Sequence, residues 1–498
     1  MNFKTFIKKV NIANRNHLEY KSYQEEGVNW CINREKQIST NTTSEQKYIS
    51  EIKGGIIADE MGLGKTIVML GTIIGNPQFP TLIIVPTVLL EQWKDKILEV
   101  LGHKCLVYYG AAKKTTSGED MQKAPITLTT YGTLIQEYSK NKEARLLETN
   151  WKRVVFDEAH HLRNKSTKIF KTANKLKKEI TWLITGTPIQ NKINDMYSLF
   201  EILNISNKLY TKISILTELI NNIVLKRTKK EVGLNMKPLY TENIKVKWKN
   251  KEEKELSNLI HRSINLEDRK MKLALMQFAK MTCVYPDLLL KTNKSQSHLQ
   301  SQSQSHLQSQ SILNTISNQY SKLDKLTDLI LERRENGNKK IIFTTYRRES
   351  QKIKEILHQK SELKILSNQT RKNLHINIID GGVSKSKRNK ILSCEEKEKT
   401  DILILQIKSC NEGLNLQEFN EIYIVSPEWN PKIEEQAIAR CHRFGQTKHV
   451  MVFHMLMDDL DNSAIDFTSQ LGAKNIEQYS NVVQIMKNNK EKKYLCDQ

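Results

Sequence analysis

The sequence predicts an α/β protein of two lobes in tandem, each a parallel sheet covered by helices, with a helical insertion between them. Three observations predict it. Short apolar runs of strand type alternate with helical patterns twice along the chain, the rhythm of a parallel sheet whose crossovers are helices. The stretch GGIIADEMGLGKT (residues 54–66) reads as strand, tight turn and helix start, the local build of a phosphate-binding loop. Finally, Val154, Val155 and Phe156 form an apolar strand ending on Asp157 and Glu158, which sets two carboxylates at a sheet's C-terminal edge, where open α/β folds take their ligands.

Taken in order, residues 54–58 (GGIIA) supply the first strand, residues 59–64 the turn, and TIVMLGTII from Thr66 onward an apolar helix. In such a loop Gly62 and Gly64 let backbone N–H groups converge on phosphate oxygens. Lys65 adds a point charge for the β- and γ-phosphates, and Thr66 can ligate Mg²⁺. Asp59 stands where the strict G-x-x-x-x-G-K-[ST] pattern begins with glycine, so the stretch alone leaves a bystander turn open. Further strands follow at TLIIVP (81–86), ITLTTY (126–131), VVFDE (154–158) and WLITGTP (182–188). In the DEAH stretch Asp157 would hold Mg²⁺ and Glu158 would orient or deprotonate the attacking water. The plainer alternative, a strand ending in a solvated acidic turn, is disfavoured by the company of a G-x-G-K-T.

From about residue 205 to 290 the texture changes to Lys-rich, Leu-punctuated stretches such as KEEKELSNLIHRSI, which predict helices and not strands. Residues 295–302 (SQSHLQSQ) recur unchanged as 303–310, a polar duplication that cannot bury a core and reads as a linker. Its His298 and His306 have no third ligand nearby in sequence, so a metal site is not indicated. The α/β rhythm then resumes at KIIFTTY (340–346), INIIDGG (376–382), DILILQI (401–407), EIYIVSP (421–427) and VMVFHML (450–456). The expected division is a nucleotide-binding lobe over 1–235, a helical insertion over 236–293, the linker over 294–312 and a second lobe over 313–498. In QAIARCHRFGQ, Arg440 and Arg443 stand three residues apart, a spacing that predicts one side of a helix. Two guanidiniums held so can offset charge on a transferring phosphate, although an ordinary basic helix face has the same pattern.

Seventy-eight Lys and Arg against fifty-five Asp and Glu leave a net charge of +23, which points to a polyanionic partner, nucleic acid foremost. No apolar run reaches the roughly 18 residues of a membrane span, and the N-terminus lacks a signal-peptide core, so a soluble intracellular protein with no membrane partner is expected. The seven cysteines are scattered and never spaced C-x-x-C, which predicts reduced thiols without a disulfide framework or zinc module.

In this order DEMGLGKT, DEAHHLRN, TGTPIQN, EGLNLQ, PEWNP and QAIARCHRFGQ resemble the motif set of the Swi/Snf-type DNA translocases of helicase superfamily 2. The likeness runs from about Tyr23 to Asp459, and an acid opening the phosphate loop is how this family writes it. WCINREK (30–36), WKRVVFDEAHHLRN, YSL (197–199) and LKRTKKEV (225–232) are similar to the subgroup of RING-bearing repair translocases and lodestar-type transcription terminators. A RING needs clustered Cys and His pairs that this chain lacks, so ubiquitin-ligase activity is not implied. The resemblance implies tandem RecA-like lobes, ATP and Mg²⁺ as cofactors, and double-stranded DNA as partner.

By position, Gln24 resembles the family's adenine-reading glutamine. Gly62, Leu63, Gly64, Lys65 and Thr66, with Gly413, resemble its nucleotide contacts; Thr66 and Asp157 its Mg²⁺ ligands; Lys65, Asp157, Glu158, Arg440 and Arg443 its catalytic set. Thr130, Tyr131, Thr187, Asn415 and Trp429 resemble residues in segments that track the DNA backbone or couple it to hydrolysis. One departure concerns DNA coupling: Cys410 and Asn411 replace the family's usual glycine pair, and side chains there would crowd a close approach to phosphate. The implied function is a DNA-stimulated ATPase that translocates on duplex DNA and displaces or remodels DNA-bound proteins, with transcription or repair factors as partners. The compartment would be the nucleus in a eukaryotic cell, or a replication compartment or virion for a viral chain. An RNA helicase of the DEAH type and a catalytically silent scaffold are the alternatives; TGTPIQN argues against the first, and the intact catalytic set against the second.

Overall fold

A computed structural model describes residues 7, 19–36, 51–139, 144–189, 193–263, 269–289, 320–366, 373–410, 414–428 and 431–458. The polar duplication, Gly413, Trp429 and Asn411 lie outside the described residues. Those described fall into two compact units that part after Asn235.

The first unit begins with α1 (Ser22–Lys36), β1 (Gly54–Ile57), α2 (Lys65–Gly75), β2 (Thr81–Val85), α3 (Leu90–Leu101) and β3 (Leu106–Val107). It continues with β4 (Ile126–Thr130), α4 (Tyr131–Ser139), β5 (Trp151–Asp157), α5 (Lys168–Lys175), β6 (Lys178–Ile184), α6 (Ile193–Ile202), α7 (Ile213–Ile223) and β7 (Val224–Leu225). The strands form one sheet in the order β3-β4-β2-β5-β6-β1-β7, every pairing parallel. The period of two sends alternate side chains to opposite faces. Ile56, Leu82, Ile84, Val154, Phe156 and Leu183 join a core with α4 to α6, while Ile57, Ile83, Val85, Val155, Trp182 and Ile184 join one with α2 and α3. Both faces are covered, so the strands read as continuous apolar runs.

A buried polar network ties α1 into this sheet. Arg153 on β5 donates from Nε and Nη2 to the two Glu35 carboxylate oxygens, each at 2.6 Å. Glu35 also accepts the Trp182 indole N–H at 2.8 Å and the Asn76 amide at 2.7 Å. Both charged side chains are fully buried.

Burial alone holds the Lys178 ammonium, at the start of β6, down at about 8. The folded state binds this proton less readily than the unfolded chain, so the penalty is full below about pH 8 and fades as pH rises into the ordinary lysine range. Lys178→Gln is therefore expected to stabilise the protein by about 1–2 kcal/mol at pH 7 and to be near neutral above the ordinary lysine pKa. Denaturant unfolding of both proteins at the two pH values measures it.

The second unit contains β8 (Leu239–Val246), α8 (Lys251–Ser263), α9 (Arg269–Val284), α10 (Ser321–Glu332), β9 (Lys340–Thr344) and α11 (Arg347–Leu366). After these come β10 (Ile376–Ile379), β11 (Ile402–Gln406), β12 (Glu421–Ile424), α12 (Pro431–Cys441) and β13 (Val450–Met457). Its sheet, again all parallel, has the order β10-β11-β9-β12-β13-β8. Ile342, Ile404, Tyr423 and Phe453 pack toward α10 and α11; Ile341, Leu403, Ile422 and Val452 face the other way, toward α12. Two parallel sheets with flanking helices are the architecture expected of tandem RecA-like lobes. Helices α8 and α9 keep a small core of their own around Leu256, Ile260, Met276 and Ala279.

Two expectations need correction. The stretch from 205 to 290 is not helical throughout, because Leu239–Val246 is a strand paired with β13 from Leu239–Val450 to Val246–Met457. As an edge strand, mostly exposed, it carries Thr241, Glu242, Asn243 and Lys245 without penalty, which hides it from a hydrophobic pattern. The other concerns the arginine pair: α12 ends at Cys441, so Arg440 sits in its last turn and Arg443 beyond it. The Gln446 side chain turns the chain there, donating to the carbonyls of Cys441 at 3.2 Å and Gln417 at 2.7 Å, with Gly445 at φ 94°.

Candidate nucleotide site

The phosphate loop lies between β1 and α2, and its glycines are required by geometry. Gly62 and Gly64 have φ 92° and 80°, in the left-handed region that L side chains avoid. A Cβ on Gly64 would also stand 2.3 Å from Gln24 Nε2, since the Gln24 amide lies over the loop and donates to the Leu63 carbonyl at 3.2 Å. Leu63 anchors the loop from beneath, fully buried. Lys65 and Thr66 open α2, both half-buried. The Lys65 ammonium is held by the loop's own carbonyls, Asp59 O at 2.8 Å and Glu60 O at 3.4 Å.

Asp59, the residue that breaks the strict glycine pattern, is fully buried and points away from that cradle. It receives Arg227 Nε at 3.1 Å and Nη2 at 2.6 Å, and Arg227 also bonds the Tyr23 carbonyl. The segment after β7 reinforces this: Ala58 N donates to Leu225 O at 2.7 Å, Glu60 N to Arg227 O at 2.9 Å, and Lys229 N to the Glu60 carboxylate at 2.8 Å. The acid clamps the loop's first turn to LKRTKKEV. Sequence reasoning assigned Arg227 no role, since its partner is remote in the chain.

Asp157 ends β5. Its Oδ2 accepts the Trp93 indole N–H at 2.7 Å and its Oδ1 accepts Glu158 N at 3.0 Å. Burial, with the Glu158 charge adding to it, pushes the Asp157 carboxyl up to about 7 against the pull of Trp93, the Glu158 amide and Lys65. Glu158 has φ 49° and ψ 50°, left-handed for a residue with a side chain, and its Oε2 lies 3.2 Å from His160 Nδ1. Trp93 was missed in sequence; no local pattern marks a core tryptophan as a donor to a distant acid.

The T-G-T-P turn comes next to the loop, with Thr185 N donating to Ile57 O at 3.0 Å and a Cβ on Gly186 predicted to lie 3.7 Å from Lys65 Nζ. Thr187 is buried in this turn, its N–H on Thr185 Oγ1 at 3.2 Å. Thr130 and Tyr131 are buried as well. Thr130 Oγ1 accepts Thr133 N at 3.2 Å, and the Tyr131 hydroxyl donates to the Asp157 main-chain carbonyl at 2.7 Å. Within the first unit, Gln24, Gly62 to Thr66, Asp157, Glu158 and the 185–187 turn thus gather at the C-terminal edge of the sheet.

In the second unit, burial first and the Arg440 charge after it lower the Arg443 guanidinium below its ordinary range. Asn415 is exposed, and its main-chain carbonyl accepts Lys397 Nζ at 3.3 Å.

A glycine-cradled ammonium beside a strand-end acid pair, in the first of two parallel-sheet lobes, defines a phosphate-loop enzyme of the helicase type. Comparison with known families finds the SNF2-related domain over residues 23–322 and the helicase conserved C-terminal domain over residues 321–445. The chain belongs to the SNF2-related, or Swi/Snf, family of helicase-like ATPases. It is 27% identical over 488 residues to the DNA excision repair protein ERCC-6-like of Danio rerio, covering 81% of this chain and 33% of that protein. It is 25% identical over 466 residues to the "Probable global transactivator" of Orgyia pseudotsugata multicapsid polyhedrosis virus, covering 88% of this chain and 86% of the viral one. A solved structure of the Sulfolobus solfataricus SWI2/SNF2 ATPase core in complex with dsDNA matches 88% of each chain at 23% identity, with a TM-score of 0.40. The chain spans 33% to 47% of the length of the Bacillus, zebrafish and Arabidopsis relatives it matches.

Proposed function

We propose that this chain is a DNA-stimulated ATPase that translocates on double-stranded DNA and displaces or remodels proteins bound there, in transcription, repair or chromatin metabolism. The observation that carries the reading is the Lys65 loop beside the Asp157–Glu158 pair. Backbone N–H groups from Gly62 to Thr66 would hold the β- and γ-phosphates, Lys65 would neutralise them, and Gln24 would read the adenine edge. Glu158, held in its left-handed conformation beside His160, would orient the attacking water and take its proton. Arg440 and Arg443 would offset the charge on the transferring phosphate.

The residues present fit Mg²⁺: Thr66 at the start of α2 and the buried Asp157 at the end of β5 offer a hydroxyl and a carboxylate, the hard oxygen donors this ion takes. Thr66 and Asp157 would hold the ion, which neutralises phosphate charge when bound. The net charge of +23, and relatives named for repair and transactivation, support a DNA substrate. Binding would run through the phosphate backbone and weaken with salt.

The test is ATP hydrolysis by the purified chain with no nucleic acid, duplex DNA, single-stranded DNA or RNA at one moderate salt. At least about tenfold stimulation by duplex DNA is expected. Stimulation by RNA alone would favour an RNA helicase, and absence of turnover under all four conditions would favour a silent scaffold.

A further inference from the structure

The turn between β4 and α4 was expected to face DNA, yet the Tyr131 side chain points inward and is only 5% exposed. Its hydroxyl donates to the Asp157 main-chain carbonyl at 2.7 Å. That carbonyl belongs to the peptide joining Asp157 to Glu158, and the orientation of this peptide sets the Glu158 φ of 49°. A left-handed glutamate persists only where its surroundings hold it, at a cost of about 1 kcal/mol or more. Tyr131 supplies part of that hold.

The ring of the same tyrosine reaches Glu158 by a second route. It stacks on Phe156 with centroids 6.4 Å apart and lies 5.1 Å from the His161 ring. His161 in turn stacks on His160 at 4.7 Å, and His160 Nδ1 stands 3.2 Å from the Glu158 carboxylate. One residue therefore bonds the main chain before Glu158 and, through two stacked imidazoles, packs beside its carboxylate, the last step being a 3.2 Å approach and not a hydrogen bond. Tyr131 directly follows Thr130, whose hydroxyl accepts the Thr133 main-chain N–H at 3.2 Å and lies 3.0 Å from the Thr133 hydroxyl, which ties the turn to the start of α4.

We propose that Tyr131 is a positioning residue that passes movement of the 130–131 turn to Glu158, and that it does not itself contact nucleic acid. The inference rests on the reading of the chain as a DNA-stimulated ATPase. Nucleic acid seated on the turn would shift α4, tighten the bond to the Asp157 carbonyl and set the glutamate for hydrolysis; without it the glutamate is less well aimed.

The experiment is steady-state ATP hydrolysis by the full chain and Tyr131→Phe, which deletes the hydroxyl and keeps the ring. At saturating duplex DNA the variant is expected to lose about tenfold in kcat, with ATP KM and the half-saturating DNA concentration within about twofold of wild type. An unchanged thermal midpoint shows that folding is intact, and Tyr131→Trp, which restores a ring donor, is a second variant expected to recover part of the loss. A raised half-saturating DNA concentration with kcat restored at saturation would make Tyr131 a DNA contact and overturn the proposal. A duplex-stimulated wild type with an unchanged Tyr131→Phe overturns this inference alone; a wild type that duplex DNA does not stimulate overturns the parent reading as well.

Discussion

Glu158→Gln is expected to lower ATP turnover by roughly 10²- to 10⁴-fold, the usual worth of a positioned general base. The amide keeps the shape of the side chain but cannot take a proton, and it loses the negative charge that stands 3.2 Å from His160 Nδ1. Because the nucleotide contacts are assigned to Gln24, the glycine cradle, Lys65 and Thr66 and not to Glu158, nucleotide affinity should change little. Single-turnover hydrolysis alongside binding of a fluorescent ATP analogue separates the two. Turnover within a few-fold of wild type would show that the water is activated elsewhere and that the left-handed turn has another purpose. Lys65→Ala is the contrasting variant, expected to weaken both binding and turnover.

The second large effect concerns stability. Glu35→Ala is expected to destabilise the protein by about 3–5 kcal/mol, because it leaves the Arg153 guanidinium buried without its partner. The Trp182 indole and Asn76 amide lose their acceptor in the same step. Arg153 would keep only neutral acceptors, the Asn76 carbonyl at 2.6 Å and Thr81 Oγ1 at 3.3 Å. Replacing the pair together, as Glu35→Met with Arg153→Met, should cost much less than the single change, since no charge is then stranded. Urea unfolding of the three proteins tests this: a single variant no less stable than the double would show that the guanidinium finds water, and that the network does not hold α1 on the sheet.

Most strands were legible because each face of both sheets is covered. Runs such as TLIIV and ILILQ are apolar but for one terminal residue, Thr81 or Gln406, so local composition suffices to find them. Leu239–Val246 was not legible: at a sheet edge its polar residues meet water, and nothing in its composition separates it from the helices that follow. The arginine pair shows a related limit. A spacing of three matches a helix face, but the helix stops between Arg440 and Arg443 because Gln446, further along the chain, takes the Cys441 carbonyl.

For the site, the types of residue that handle phosphate stand in short contiguous motifs, so Gly62, Gly64, Lys65, Asp157 and Glu158 could be named from their order alone. What those motifs lean on could not. Asp59 breaks the strict glycine pattern, and the partner that uses its carboxylate, Arg227, stands 168 residues away. Trp93 reaches Asp157 across 64 residues and Tyr131 reaches it across 26. By itself, then, the sequence determined most of the strands, the loop and the place of the acid pair at a strand end, since these depend on neighbours along the chain. Only the tertiary structure decided which buried donors hold the acids and which way Tyr131 faces, because hydrogen-bond partners are chosen by distance in space, and the parallel sheet brings together strand ends that the sequence keeps far apart.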